Sequence, residues 1–309
     1  KDEMEEVKLP ETDEEKKRLE GIIDSWKGKK VLVIGDVMLD WSIYGKASKL
    51  SPEGPFPDLV VEREEYTLGG AGNAARNIAT LGGVPILIGV IGNDRNGMVI
   101  KDEYEKLLSG LTEDLSALPL SGGLYIDKER STTTKTRIYS TSPRSQQLGP
   151  RLSYESTEPL DNRAYSGLCL NMNYFLINCN LDISAIIFSD YGKGMFSKDG
   201  LVDEVMKIAK EKNIPTIVDP KLNYKQFSSA DIFKPNYNEF IKMRGDLPSE
   251  SEGGFIWHDL SIFAEELIYG DRGSMKSIAV TKGAEGLFLY QRGENGIIMK
   301  HVPTIPQEV

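Results

Sequence analysis

Cysteine and histidine are scarce. The 309 residues hold Cys169, Cys179, His258 and His301 and no others of either kind. These are too few for a zinc cluster of Cys and His, and two cysteines argue against a disulfide framework. A reducing, cytoplasmic setting is the expectation. Positive charge is also in deficit: 37 Lys and Arg stand against 47 Asp and Glu, a formal net charge of −10. Nucleic-acid binders carry a basic stripe; this chain has none, so no nucleic-acid partner is expected. The deficit does not exclude a small polyanionic ligand, because a phosphate site is local. Long apolar runs are missing too. No stretch approaches the ~20 apolar residues of a membrane-spanning helix, and the acidic, charged N-terminus is unlike a signal peptide. No membrane partner is expected, and there is no internal repeat.

Glycine is plentiful, at 30 residues, and one run organises the rest: Leu68-Gly-Gly-Ala-Gly-Asn-Ala-Ala-Arg-Asn77. A charged, extended run (60–66) precedes it. Ala71, Ala74, Ala75, Ile78 and Leu81 then recur at helical spacing. Adjacent glycines let backbone approach a ligand closely, and the N–H groups of a helix start favour anionic or hydroxyl-rich ligands. A tight strand-to-helix turn with no ligand fits the same residues.

Residues 1–11 read as disordered. Thr12 to Glu15 has capping-box spacing, and Leu19, Ile22, Ile23 and Trp26 form one stripe of a helix expected to pack on the domain. Val31 to Ile34 is a buried strand ending in Gly35-Asp36, with Asp40 close behind. Ile43 to Tyr66, carrying Pro52, Pro55 and Pro57, reads as an excursion into a small β lid. Pro85 to Ile91 is a second strand, followed by a helix through Val99, Ile100 and Tyr104. Tyr125-Ile126 and Thr132 to Tyr139 alternate as strands that would complete the lid, and 142–151 reads as a polar loop. From Ile183 the alternation is regular. Strands end at Ser189-Asp190, Asp219-Pro220-Lys221, Pro235-Asn236 and Thr281-Lys-Gly283, with Ser197 as a cap for the helix through Val202 and Val205. Residues 246–256 read as a loop, 286–290 and 297–301 as a hairpin. Strands alternating with helices imply a mainly parallel, three-layer α/β sheet.

Asp36, Asp190, Asp219, Asn236 and Thr281 all fall at the C-terminal end of a predicted strand. In a doubly wound sheet those ends share the edge where ligands bind. Each alone is also an ordinary turn former. Asn236 and Glu239 stand three apart at a helix start, which suits either hydrated Mg²⁺ or a capping box. The turn from Thr281 to Gly286 offers backbone N–H groups to a nucleotide phosphate, or is a plain loop. Ser189 to Gly194 combines flexible backbone with Lys193, or is a surface turn.

From about Val31 to its last residue the chain resembles the ribokinase-like (PfkB) carbohydrate kinases. Gly69-Gly-Ala-Gly-Asn73 resembles the first signature of that family, Asn236-x-x-Glu239 its Mg²⁺ and phosphate motif, and Thr281-x-Gly283 its nucleotide loop. Within the family, five stretches (33–40, 51–55, 69–77, 189–194 and 219–221) resemble kinases of D-glycero-D-manno-heptose 7-phosphate. The resemblance implies a ribokinase-like three-layer α/β/α sandwich over residues 28–309, with a β lid from about 43–68 and 125–140 and an N-terminal extension over 1–27. It implies ATP- and Mg²⁺-dependent phosphorylation of the anomeric hydroxyl to a heptose 1,7-bisphosphate, a precursor for the lipopolysaccharide core. It also implies a homodimer that shares its lids. Asp36, Asp40, Gly69, Gly70, Asn73 and Asp190 would bind the sugar, and Arg137 and Lys193 its 7-phosphate. Asp219, Lys221, Asn236, Thr281 and Gly283 would lie at the nucleotide, and Glu239 would order Mg²⁺.

There is one departure. The family's second signature, a Gly-Ala-Gly-Asp turn supplying anion hole and general base, occurs nowhere in the 309 residues. The expected Asp would lie beyond Val309, and the closing helices and a nucleotidyltransferase domain are absent as well. A truncated or remnant kinase with little turnover is therefore expected. The alternatives are a non-catalytic sugar-phosphate or nucleotide binder on the same scaffold, or a PfkB kinase for another sugar or a nucleoside.

Overall fold

The computed structural model describes residues 4–54, 57–111, 123–142, 145–178, 181–221, 224–245, 256–270, 275–294 and 296–304. In chain order it forms β1 (Glu5–Glu6), α1 (Asp13–Asp24), β2 (Lys30–Gly35), β3 (Val37–Leu50), β4 (Pro57–Gly70), α2 (Ala71–Thr80) and β5 (Val84–Gly92). Next come α3 (Arg95–Ser109), β6 (Leu124–Asp127), β7 (Thr134–Ser142), β8 (Ser145–Tyr154), α4 (Asn162–Asn173), β9 (Ile183–Ser189) and α5 (Leu201–Glu211). The last are β10 (Thr216–Asp219), β11 (Ile232–Phe233), α6 (Tyr237–Arg244), α7 (Ile256–Tyr269), β12 (Ser277–Thr281), β13 (Leu287–Arg292) and β14 (Ile297–Val302).

Ten strands form one sheet in the order β1-β14-β13-β12-β11-β10-β9-β2-β5-β6. It is parallel except around β13, which runs antiparallel to both β12 and β14. The central strands are continuous apolar runs because both faces are covered. Side chains alternate between the faces: Leu32 and Ile34 join the cluster under α4, α5 and α7, whereas Val33 joins the cluster under α2 and α3. That is the three-layer arrangement the alternating pattern predicts. A second sheet, β4-β3-β7-β8, forms the lid. Its long β3–β4 hairpin pairs antiparallel, with Val37 opposite Gly70.

Several expectations change. Residues 5 and 6 are ordered as a strand, pairing in parallel with Lys300 and His301, and the Val7 N–H donates to His301 O at 2.7 Å. Helix α1 forms with the predicted Thr12–Glu15 capping box, yet buries none of its residues. Its stripe of Leu19, Ile22 and Ile23, with Trp26 just beyond, stays exposed. Periodicity fixes which face is apolar and says nothing of what covers it.

Residues 124–127 pair in parallel with β5 on the large sheet, so they are not lid. Of residues 142–151, read as a loop, 145–151 belong to the lid's edge strand β8. Pro150 is tolerated there because the register shifts between Arg137 and Tyr139, and proline is accepted at edges and bulges. The cap of α5 is Gly200, at φ +101°, with no side-chain bond; Ser197 does not cap it. The loop expected over 246–256 lies outside the described residues except for Ile256, which starts α7. No helix among the described residues is long and apolar enough to cross a membrane.

Candidate active site

The five neighbouring strands β2, β9, β10, β11 and β12 run parallel, so their C-terminal ends lie side by side on one edge. Backbone bonds continue the row past the strands. The Asp36 N–H donates to Ser189 O at 3.1 Å, the Asp190 N–H to Asp219 O at 2.9 Å, and Asn236 bridges Thr281. The residues singled out from sequence therefore do share an edge, and the edge has two halves.

The first half sits under the lid. The two glycines let β4 close against the start of β3. A Cβ on Gly69 would sit 2.5 Å from the Asp40 Oδ2, and one on Gly70 would overlap the Asp36 carbonyl oxygen. Gly70 also has φ +58°, a region that glycine enters without strain. It precedes α2 as a cap without side-chain bonding, and the Ala71 N–H donates to Asp36 O at 3.0 Å. The close approach is thus to the protein's own Asp36 and Asp40. Asn73 stands on the first turn of α2 and accepts from Arg76 Nη2 at 3.0 Å.

Asp36 is buried and faces inward. Its Oδ2 accepts the Tyr191 and Lys193 N–H groups at 2.8 and 3.0 Å, and its Oδ1 the Met195 N–H at 3.4 Å. Burial raises its pKa, against those three bonds. Asp190 accepts the Gly192 N–H at 2.8 Å and the Lys221 N–H at 3.4 Å. Burial above all, with the Asp36 charge behind it, pushes its carboxyl up to about 6. These two carboxylates are the internal frame of the turn over 190–195. Asp40, by contrast, is only half-buried, and accepts from Arg137 Nη1 at 3.3 Å.

To Arg137 and Lys193 the lid adds two cations that the sequence alone does not single out, Lys135 and Arg151. Asp40 pairs across the strands with Lys135, and Lys135 with Ser153; Arg137 pairs with Arg151. Residues two apart on a strand share a face, so Asp40, Lys135, Arg137 and Arg151 lie on one side of the lid. Lys135 also sits 5.4 Å from the Tyr191 ring centre. Burial first, then the charges of Arg151 and Lys193, lower its pKa, with Asp40 and Glu155 opposing. Lys193 is largely buried and pairs with Glu155 at 2.7 Å. The available signal was the Lys135-x-Arg137 alternation in a strand with one wet face.

The second half is built from ion pairs. Lys221 reaches Glu239 Oε1 at 2.8 Å, and Lys234 reaches Asp219 Oδ1 at 3.1 Å. Burial raises the Asp219 pKa, opposed mainly by Lys234 and reinforced by the Glu239 charge. Asn236 and Glu239 form a full capping box: the Glu239 N–H donates to Asn236 Oδ1 at 2.9 Å, and the Asn236 N–H to Glu239 Oε2 at 3.0 Å. The turn after Thr281 has Gly283 at φ +49°, and its Lys282 pairs with Glu285 at 2.9 Å. Among the described residues no cluster of three or more His, Cys, Asp or Glu could cage a metal ion. The donor set fits a hydrated ion instead, since Mg²⁺ keeps several waters and needs one or two carboxylates. A cavity of about 590 Å³ opens elsewhere, between α5 and Lys276, and none of these residues lines it.

No family model matches the chain. The bifunctional protein HldE of Geobacter metallireducens is 31% identical over 300 residues, 96% of this chain and 54% of the relative. That of Caulobacter sp. (strain K31) is 33% identical over 287 residues, 92% of this chain and 52% of the relative. The chain spans about half the length of the curated relatives it matches. Among solved structures, phosphofructokinase-2 from Escherichia coli in complex with fructose-6-phosphate aligns with a TM-score of 0.57 at 17% identity, covering 91% of this chain and 81% of that one. Arabidopsis thaliana ribokinase complexed with ribose and ATP aligns at 0.55 and 16%, covering 91% and 79%. At these identities the two structures speak for the fold.

Proposed function

We propose that the chain is a ribokinase-like (PfkB) carbohydrate kinase and that its strand edge binds a phosphorylated sugar beside ATP, as a D-glycero-D-manno-heptose 7-phosphate kinase site. The observation that carries this reading is the basic face of the lid. Lys135, Arg137, Arg151 and Lys193 gather near Asp40, in a protein whose net charge is −10. A half-buried lysine crowded by other cations is relieved by an anion, and charge-assisted bonds to phosphate are the strong kind. Asp40, packed against Gly69, supplies an acceptor for sugar hydroxyls. Asp36 and Asp190 act one step back, by holding the turn that carries Lys193.

On the other half, Lys221 and the turn from Thr281 through Gly283 would meet the nucleotide phosphates, with Asn236 capping the adjoining helix. Glu239 and Asp219 would hold hydrated Mg²⁺, which neutralises phosphate charge in phosphoryl transfer. In-line transfer needs little from the protein beyond positioning, charge and a base for the hydroxyl. The base of the related kinases belongs to the Gly-Ala-Gly-Asp turn, and these 309 residues contain no such string. A non-catalytic sugar-phosphate or nucleotide binder on the same scaffold is the second reading. Exposed Leu50, Val60, Val61 and Leu152 on the lid support a second copy of the chain as partner.

Calorimetry with heptose 7-phosphate, unphosphorylated heptose, fructose 6-phosphate and a nucleoside tests the proposal. The heptose phosphate should bind tightest, and losing its phosphate should cost at least about tenfold in affinity. Tighter binding of the nucleoside would overturn it. Brisk ADP release by the 309 residues would reject the non-catalytic reading.

A further inference from the structure

Lys193 is fixed at three points. Its N–H donates to Asp36, its ammonium pairs with Glu155, and its carbonyl oxygen accepts from Arg130 Nη1 at 3.0 Å. Arg130 lies between β6 and β7 and has no part in the site residues above. Its guanidinium reaches two further backbone carbonyls, Glu158 O at 2.6 Å from Nη2 and Ser156 O at 3.5 Å from Nη1. One planar fork thus joins the Lys193 turn to the segment that leaves the lid after β8. A second observation marks the same junction. Gly194 has φ +94°, and a Cβ there would overlap the Glu158 carbonyl oxygen. The turn is shaped to press against residue 158, and Arg130 bonds both sides of that contact. Arginine suits the role because its fixed, always-charged fork spans several acceptors, whereas lysine offers a point charge.

We infer that Arg130 is a positioning residue for the phosphate end of the sugar site, holding Lys193 toward the lid by clamping its carbonyl to Ser156 and Glu158. The inference rests on the sugar-phosphate reading above. It assigns Arg130 no contact with substrate. Its effect passes through Lys193, so it must vanish when Lys193 is already gone.

A double-mutant cycle reads this out. Arg130→Met, Lys193→Met, the double variant and Arg130→Lys are compared by calorimetry with heptose 7-phosphate and, separately, with Mg-ATP. Arg130→Met should weaken the sugar phosphate about tenfold and leave Mg-ATP within about twofold. In the Lys193→Met background it should add little, and Arg130→Lys should recover part of the loss. Independent, multiplying effects of the two substitutions would overturn the inference, as would an equal loss of Mg-ATP affinity. If the unaltered chain binds no sugar phosphate, the functional reading fails, and amide exchange still decides the clamp. Faster exchange at Gly192 to Phe196 in both Arg130 variants supports it, and unchanged exchange rejects it.

Discussion

The two halves of the strand edge are built on different physics. Under the lid, Gly69, Gly70, Asp36 and Asp190 interlock through buried backbone contacts, and adding a single methyl group would overlap neighbouring atoms. Around Asp219, Lys221, Glu239 and Gly283, the connections are ion pairs with well-exposed lysines and a turn with open space around its glycine. The first half is pre-shaped before any ligand arrives. The second holds charges in pairs that a ligand phosphate can take over. On the proposed sugar-kinase reading, discrimination among sugars would belong to the rigid half and charge neutralisation at the nucleotide to the adaptable one.

The same substitution made in both halves should break this comparison if it is wrong. Gly70→Ala combines positive φ with overlap of the Asp36 carbonyl and should cost about 3 kcal/mol or more in urea unfolding. Gly283→Ala, also at positive φ but with nothing within 4 Å, should cost about 1 kcal/mol. Equal costs would mean that the lid half is not tightly locked.

The pH dependence gives the next largest effect. Asp190 binds its proton more tightly folded than unfolded, since burial lifts its carboxyl from 3.8 to about 6. Its contribution therefore favours folding below about pH 4 and fades as pH rises through about 6. Its magnitude is on the order of 2–3 kcal/mol. Asp190→Asn should flatten the stability profile across that window, leaving a slope of the same sign from Asp36 and Asp219. An unchanged profile would place the titration elsewhere.

In the adaptable half the effects should be smaller. Asn236→Ala removes the cap of α6 and should cost about 1 kcal/mol in thermal or urea unfolding. Lys282→Ala breaks an i,i+3 surface pair and should cost no more than about 0.5 kcal/mol.

What was legible in the sequence follows the same division. Short-range signals read well: the capping boxes at Thr12 and Asn236, the buried runs of β2 and β5, and the strand-end polar row each depend on a few adjacent residues. Long-range partners were hidden. Nothing local says that Asp36 spends its oxygens on residues 191–195, which lie more than 150 positions away. The cationic lid face needed the pairing of β7 with β8, and the polar run over 142–151 reads as loop. The stripe on α1 was visible as a pattern, but its exposure could not be read from a single strand of text.

The two-half account is tested most directly by amide chemical shifts recorded during separate titrations with heptose 7-phosphate and Mg-ATP. The account expects the sugar phosphate to shift Gly69 to Asn73, Lys135 to Arg137 and Tyr191 to Gly194. It expects Mg-ATP to shift Asp219 to Lys221, Asn236 to Glu239 and Thr281 to Gly286. Shifts from both ligands in the same half, or no response to the sugar phosphate at any of these residues, would contradict it.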